Sequence, residues 1–264
     1  MITWNAFLPF AAGSLAFGLA GAWAALRQKR RAALWLSALA LAVLGVFIGL
    51  LWSSLGRPPL RTMGETRLWY SFFMLLMGCL VYWRWRLGWI PLFSLVVAGV
   101  FAVINLLRPE IHDQSLMPAL QSPWFVPHVT VYMFSYSVFG CAFLLAIASL
   151  WRGERTLLPA ADRLVSIGLC LLTLGMLSGC LWAKEAWGHY WSWDPKETWA
   201  AATWCSYLVY LHLRLLPAPP APGLGRRDRL AFVCLIASFA LLQMCWYGVN
   251  YLPGAAESMH SYAG

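Results

Sequence analysis

The sequence predicts an all-α polytopic membrane protein, and three observations carry that prediction. Hydrophobic residues make up 61% of the 264-residue chain and charged ones only 11%, a balance of integral membrane proteins rather than soluble cores. The apolar residues gather into eight stretches, each near the roughly 20 residues that a helix needs to cross a bilayer core. Lys and Arg collect in alternate connections between those stretches. Only helices suit such segments, because backbone groups in lipid must be satisfied within the segment itself.

The first expected span, about 5–26, has no basic residue ahead of it and does not read as a cleaved signal peptide. The second, 33–53, carries Gly45 and Gly49 at small-x-x-x-small spacing, which lets helices approach closely. The third, 67–83, is the weakest, since Arg84 and Arg86 cut it short, and the fourth covers 88–107. The fifth, 128–151, starts at a Pro127-His128 pair, and the sixth, 164–182, repeats the small-residue spacing at Gly175 and Gly179. The seventh, 198–216, contains His212 near its end, and the eighth covers 230–250. The glycine spacings read as packing, with no function attached. The seven cysteines fall in or near the spans without any C-x-x-C, which excludes a thioredoxin-type pair and a covalent haem-attachment motif in this chain.

Orientation follows from the basic residues. Thirteen lie in one set of connections: Arg27, Lys29, Arg30, Arg31, Arg84, Arg86, Arg152, Arg155, Arg163, Arg214, Arg226, Arg227 and Arg229. Six lie in the other: Arg57, Arg61, Arg67, Arg108, Lys184 and Lys196. The positive-inside rule then puts both termini, and the loop that carries Lys184 and Lys196, on the outer, periplasmic-type side. The net charge of +9 is scattered between apolar runs and not gathered into a nucleic-acid patch. The expectation is one integral membrane domain over 1–264.

The stretch Trp182 to Trp199, W-A-K-E-A-W-G-H-Y-W-S-W-D-P-K-E-T-W, is the chemically loaded part of the chain. Five of its residues are Trp, and Trp204 follows. An interfacial anchor needs one or two Trp per helix end. A run interleaved with Gly188, Asp194, Pro195, Lys196 and Glu197 fits a dense aromatic surface with a few polar handles, as a large flat apolar ligand requires. Asp194 and Glu197 also fit hydrogen-bonded shaping of this loop, or a cap on the helix beginning at Pro195.

Histidines supply candidate metal ligands. His128 stands at the outer mouth of the fifth span and His260 in the outer tail, flanking the Trp-rich loop, and imidazole is a standard axial ligand of haem iron. His189 lies inside the loop, where it either competes as a ligand or is incidental, and His112 lies in the outer loop before Trp124. His212 is ionisable within a span, a functional hypothesis by default. Its place near the inner end also allows snorkelling or a bond to a backbone carbonyl.

On these residues the chain resembles the CcsA (ResC) family of System II cytochrome c biogenesis proteins, within the CcmC/CcmF/CcsA haem-handling superfamily. The loop A-W-G-H-Y-W-S-W-D-P-K-E-T-W resembles the superfamily's WWD signature, and its P-K-E-T-W ending favours CcsA. L-Q-S-P-W-F-V-P-H-V with His128, M-H-S-Y with His260 and Y-L-V-Y-L-H-L-R with His212 complete the likeness, which covers most of the chain.

The resemblance implies haem b carried as a transported substrate to the outer face of a bacterial inner membrane or thylakoid-type membrane. There it would be attached covalently to an apocytochrome c at a C-x-x-C-H segment, this chain being a component of a holocytochrome c synthase. His128 and His260 would be the axial ligands, with Trp187, Trp191, Trp193, Asp194 and Trp199 forming the cradle. His212 would mark an inner haem station. A single intramembrane His implies that a second inner ligand comes from a CcsB (ResB)-type partner. Lys184, Lys196 and Arg108 are candidates to meet the propionates.

Three other classes fit the residues less well. A b-type electron-transfer subunit needs His pairs at matching depth, and only His212 is deep. A small-solute transporter needs charge near the midplane, where these spans are almost free of it. A metal-dependent hydrolase needs a cluster such as H-E-x-x-H, absent from the sequence.

Overall fold

The computed structural model describes residues 2–112, 122–216 and 223–252. Among these, eight α-helices account for nearly all of the regular structure, with no strand. They are α1 (Phe7–Leu26), α2 (Arg30–Leu55), α3 (Met63–Trp85), α4 (Ile90–Leu107), α5 (Phe125–Arg152), α6 (Leu158–Trp187), α7 (Pro195–Leu215) and α8 (Arg226–Trp246). Six are both long and apolar enough to cross a membrane. The other two, α3 and α7, reach spanning length at 23 and 21 residues. They are more polar, with Glu65, Arg67 and Arg84 in one and Lys196, Glu197 and Arg214 in the other.

The chain divides into two compact units, Met1–Leu116 and Met117–Gly264. In the first, α1 packs on α2, α2 on α3, α3 on α4, and α4 back on α1. In the second, α5 through α8 close the same ring. Short connections between successive helices make each an antiparallel four-helix bundle.

Phe7, Leu44, Phe47, Leu51, Leu68 and Leu95 fill the core of the first unit. At one of its ends the chain enters α3 through a capping box. The Thr62 side chain accepts from Glu65 N, and Glu65 accepts from Thr62 N. The Glu65 carboxylate is fully buried and also takes a two-pronged bond from Arg57, both N···O distances being 3.0 Å. One turn beyond α4, His112 stacks on Trp4 at 3.9 Å with the rings nearly parallel.

The second unit is pinned at one end by charge. Arg214 on α7 binds Asp162 on α6 at 2.9 Å and Asp228 on α8 at 3.0 Å, and Arg155 joins Asp228 at 3.0 Å. Tyr210 donates to Asp162 at 2.8 Å. Mid-bundle, Phe139 stacks on Tyr207 at 3.7 Å.

Candidate functional site: an aromatic platform around His128

At the opposite end of the second unit lie the start of α5, the end of α6, the 188–194 connection and the start of α7. Antiparallel packing alone brings these four pieces together. Trp182 to Trp187, expected in the loop, belong to the last turns of α6, and Pro195 to Trp199 form the first turn of α7. The loop proper is seven residues long. It starts at Gly188, whose φ of +86° ends α6 in the left-handed region where glycine carries no steric penalty.

His128, in the first turn of α5, is held by α6. Its Nδ1 lies 2.8 Å from the carbonyl of Gly175. A carbonyl only accepts, so Nδ1 carries the proton and the lone pair sits on Nε2. That is how a metal-binding imidazole is usually oriented, one ring nitrogen donating to the backbone and the other presented for ligation.

Packing fixes the ring as tightly as the hydrogen bond does. A Cβ on Gly179 would fall 2.7 Å from His128 Cε1 and Nδ1, and one on Gly175 would fall 2.7 Å from Tyr132 Cδ1. The Gly175/Gly179 spacing therefore serves as a seat for two rings of α5. The other small-residue pair behaves differently, since nothing lies within 4 Å of a Cβ on Gly49.

Trp182 is 1% exposed and forms the platform behind the imidazole. Its ring stacks on His128 at 5.5 Å and 23°, and meets Trp187 edge-on at 4.7 Å and Phe125 at 5.3 Å. From His128 a ladder of rings runs inward through Tyr132 (4.5 Å) and Tyr136 (5.7 Å) to Trp246 of α8 (5.8 Å). Trp182, Tyr132 and Tyr136 were not singled out by the sequence reasoning. The usable signal was the 128/132/136 spacing, which puts His, Tyr and Tyr on one helical face opposite the glycine pair.

The polar residues of the loop do a different job from the aromatic ones. Asp194 caps α7 by accepting from Lys196 N at 2.9 Å and Glu197 N at 3.1 Å. Glu197 closes the box, accepting from Asp194 N at 3.2 Å and from Ser192 N at 2.8 Å. Both carboxylates are buried. Asp194 thus shapes the loop from within.

Trp193, next to this cap, has φ of +62°, a region that a bulky residue enters only under constraint. Its carbonyl accepts from Thr198 Oγ1 at 3.0 Å. The side chain is 68% exposed, and the half-buried Trp191 meets it edge-on at 5.6 Å. Trp199 is half-buried one turn into α7. The buried Trp191 Nε1 and His189 Nδ1 have no hydrogen-bond partner.

Two of the three candidate propionate partners are engaged elsewhere. Lys184 Nζ donates to the Gly188 carbonyl at 2.7 Å, capping α6, and Arg108 pairs with Glu110 at 3.2 Å in the first unit.

His212 stands 17 residues along α7 from its first residue, about 25 Å at 1.5 Å per residue. It belongs to a separate place. Its Nδ1 lies 2.8 Å from the Leu208 carbonyl, the backbone bond anticipated as one of its readings. It faces outward into an open apolar groove of about 530 Å³ lined by Cys205, Leu208, Val209, Leu213, Leu215 and Leu216. His260 lies outside the described residues.

Comparison with known proteins gives a consistent picture. A family model described as cytochrome c assembly protein matches residues 37–256. The cytochrome c biogenesis protein CcsA of Marchantia polymorpha is 29% identical, the match covering 82% of each chain. CcsA of Chlamydomonas reinhardtii is 32% identical over 80% of this chain and 62% of its own, and CcsA of Solanum lycopersicum is 31% identical over 80% and 79%. Among solved structures, the cytochrome c heme lyase CcmF superimposes with a TM-score of 0.68 over 91% of this chain at 16% identity. This chain spans slightly less than half the length of that protein, and the likeness is one of fold.

Proposed function

The chain belongs to the cytochrome c assembly protein family, and from that premise we propose that its second unit holds haem b at the platform around His128 and presents it to an apocytochrome c. It is a multi-pass integral membrane protein of cytochrome c biogenesis. The observation that carries the proposal is the setting of His128: Nδ1 2.8 Å from the Gly175 carbonyl, which can only accept, and the ring backed by Trp182, itself edge-on to Trp187.

His260 supplies the second axial ligand from the tail, and Trp187, Trp191, Trp193 and Trp199 give the macrocycle its apolar surfaces. Asp194 contributes by capping α7 and so holding Trp193 in place. With both axial positions filled by imidazole, the iron is closed to oxygen while a vinyl edge stays reachable. Each apocytochrome thiol then adds S–H across a vinyl C=C, sulfur to one carbon and hydrogen to the other, with no oxidant consumed. The protein's share of this chemistry is positioning, and the reactive carbons belong to the cargo.

The platform faces the periplasm or its equivalent, a reading that the distribution of Lys and Arg supports. His212, outward-facing in an apolar groove about 25 Å along α7, is the inner station, and a CcsB (ResB)-type partner covers it and provides the second ligand.

The experiment is the absorption spectrum of the purified protein, oxidised and reduced, beside His128→Ala and His260→Ala. A low-spin spectrum in the parent, weakened in both variants and regained with added imidazole, is expected. Haem bound unchanged in both variants would sink the ligand assignment.

A further inference from the structure

The end of the first unit that carries the α1–α2 and α3–α4 turns holds six cations: Arg27, Lys29, Arg30 and Arg31 on one turn, Arg84 and Arg86 on the other. The turns touch. A Cβ on Gly88 would fall 2.7 Å from the Ala25 carbonyl, and Arg30 Nη2 reaches the Trp83 carbonyl at 3.3 Å. Buried Ala24, Ala25, Ala33 and Tyr82 form the apolar floor beneath them.

Among the described residues none of the six makes an ion pair. The described carboxylates of this unit, Glu65 and Glu110, stand at the other end of the bundle, at the start of α3 and just beyond α4. The second unit has carboxylates at its basic end, Asp162 and Asp228, and they pair two of its cations, Arg155 and Arg214, while Arg152, Arg163, Arg226 and Arg229 make no ion pair among the described residues. Topological bias alone predicts positive charge at both ends and does not predict that one end holds carboxylates and the other, among the described residues, holds none.

Two further observations point to an anionic occupant in the plane of the membrane surface. Arg30 Nε and Trp89 Nε1 are buried donors without an acceptor, an expensive condition for a guanidinium. Trp23, Trp35 and Trp83 flank the cations and are 59%, 73% and 54% exposed, the placement of side chains at the headgroup level. Arg27 lies over the exposed Trp23 ring at 4.6 Å, and Arg84 over the half-buried Trp85 at 5.4 Å.

We propose that this end of the first unit is a binding site for the phosphodiester headgroup of an anionic phospholipid, with Arg30 at its centre. The cations select for net negative charge, and the tryptophans set the depth. Four to eight clustered Lys and Arg beside a spanning helix recognise anionic headgroups in this way.

Native mass spectrometry of the full chain offered equal phosphatidylglycerol and phosphatidylcholine tests it. Retention of phosphatidylglycerol is expected to exceed that of phosphatidylcholine by about tenfold. The preference should fall to near parity in Arg27→Gln/Arg30→Gln/Arg84→Gln/Arg86→Gln. It should persist in Arg152→Gln/Arg163→Gln/Arg226→Gln/Arg229→Gln, which removes as many charges from the second unit. Equal loss in both variants would reduce the effect to net charge and overturn the site. Displacement of the lipid by millimolar inorganic phosphate would make it a free-anion site, also against the proposal. On the unaltered protein, a photoactivatable phosphatidylglycerol should cross-link within residues 23–35 and 83–89, and adducts spread evenly over the helices would refute it independently of how any variant folds.

Discussion

Gly179→Ala is the sharpest test of the platform, because it perturbs His128 without replacing any group that could bind iron. The added Cβ would lie 2.7 Å from His128 Cε1 and Nδ1. Carbon contacts settle near 3.5 Å, so the imidazole must retreat by about 0.8 Å or the helices must part by as much. A retreat of that size pulls Nδ1 off the Gly175 carbonyl, now at 2.8 Å, and frees the ring to turn. Overpacking of this kind costs about 1–3 kcal/mol of stability, and lost orientation of a metal-binding His costs about 10–100-fold in affinity.

Gly168→Ala is the matched control. Its Cβ would fall 2.7 Å from Phe139 Cε1 on the same helix pair, three turns away from the imidazole. Both variants are expected to lower the thermal midpoint by similar amounts. Haem content, read from the reduced spectrum of protein purified at equal yield, should fall at least tenfold in Gly179→Ala alone, with partial return on adding imidazole. Equal haem in the two variants would refute the reasoning, whether both keep it or both lose it, because the glycine would then be packing and nothing more.

Three other outcomes follow from particular contacts. Trp193→Gly should raise the thermal midpoint, since it removes a bulky side chain from φ of +62° at a conformational cost of about 1–2 kcal/mol. The same variant should bind less haem, and a midpoint that falls would place Trp193 in the fold instead of the cradle. Arg214→Met leaves Asp162 with no cation and Asp228 with Arg155 alone and should cost about 1–3 kcal/mol; a denaturation midpoint close to the parent's would contradict the ion network. Burial lowers the His112 pKa despite the opposing pull of Glu65 and Glu110. The unfolded chain therefore binds more protons than the folded one below about pH 6.5. Stability should drop as pH falls from 7 toward 5, and His112→Phe, which keeps a ring on Trp4, should flatten that part of the profile. A parent profile already flat there would remove His112 from the account.

Most of the fold was legible because hydropathy reports burial in lipid directly. The eight expected spans correspond one to one with α1 through α8. Their limits miss where helix and lipid part company. The sixth was expected over 164–182 and the helix runs Leu158–Trp187, since backbone hydrogen bonding continues past the apolar stretch, where Asp162 is paired with Arg214 and Lys184 and Glu185 are exposed. The Trp-rich segment suffered from the same equation of polarity with loop. Two of its three parts are helical, and the Asp194 cap together with Pro195 at the first helical position marks the boundary.

The candidate site was legible in its types and not in its contacts. His128 and the tryptophans stand out by chemistry, whereas Gly175, Gly179 and Trp182 matter through which face of α6 meets α5, a tertiary fact. Gly45 and Gly49 have the same spacing as Gly175 and Gly179, yet only the second pair seats two aromatic rings. A small-residue motif states that something approaches closely and leaves open whether it is a neighbouring helix or an imidazole.

The loop combines two demands that ordinarily conflict, and its residues divide them. A surface for a large apolar ring must expose tryptophan, and an exposed tryptophan in a short connection has no packing of its own to hold it. Here the constraint comes from below. Asp194 and Glu197 satisfy each other's backbone at the start of α7, Ser192 N donates to Glu197, Thr198 Oγ1 donates to the Trp193 carbonyl, and Trp193 is held in a conformation it would not choose. Strain kept at a side chain that is 68% exposed and meets only Trp191 edge-on among the described rings points to function. A glycine would meet the backbone's need at Trp193, so the indole there is retained for what binds against it.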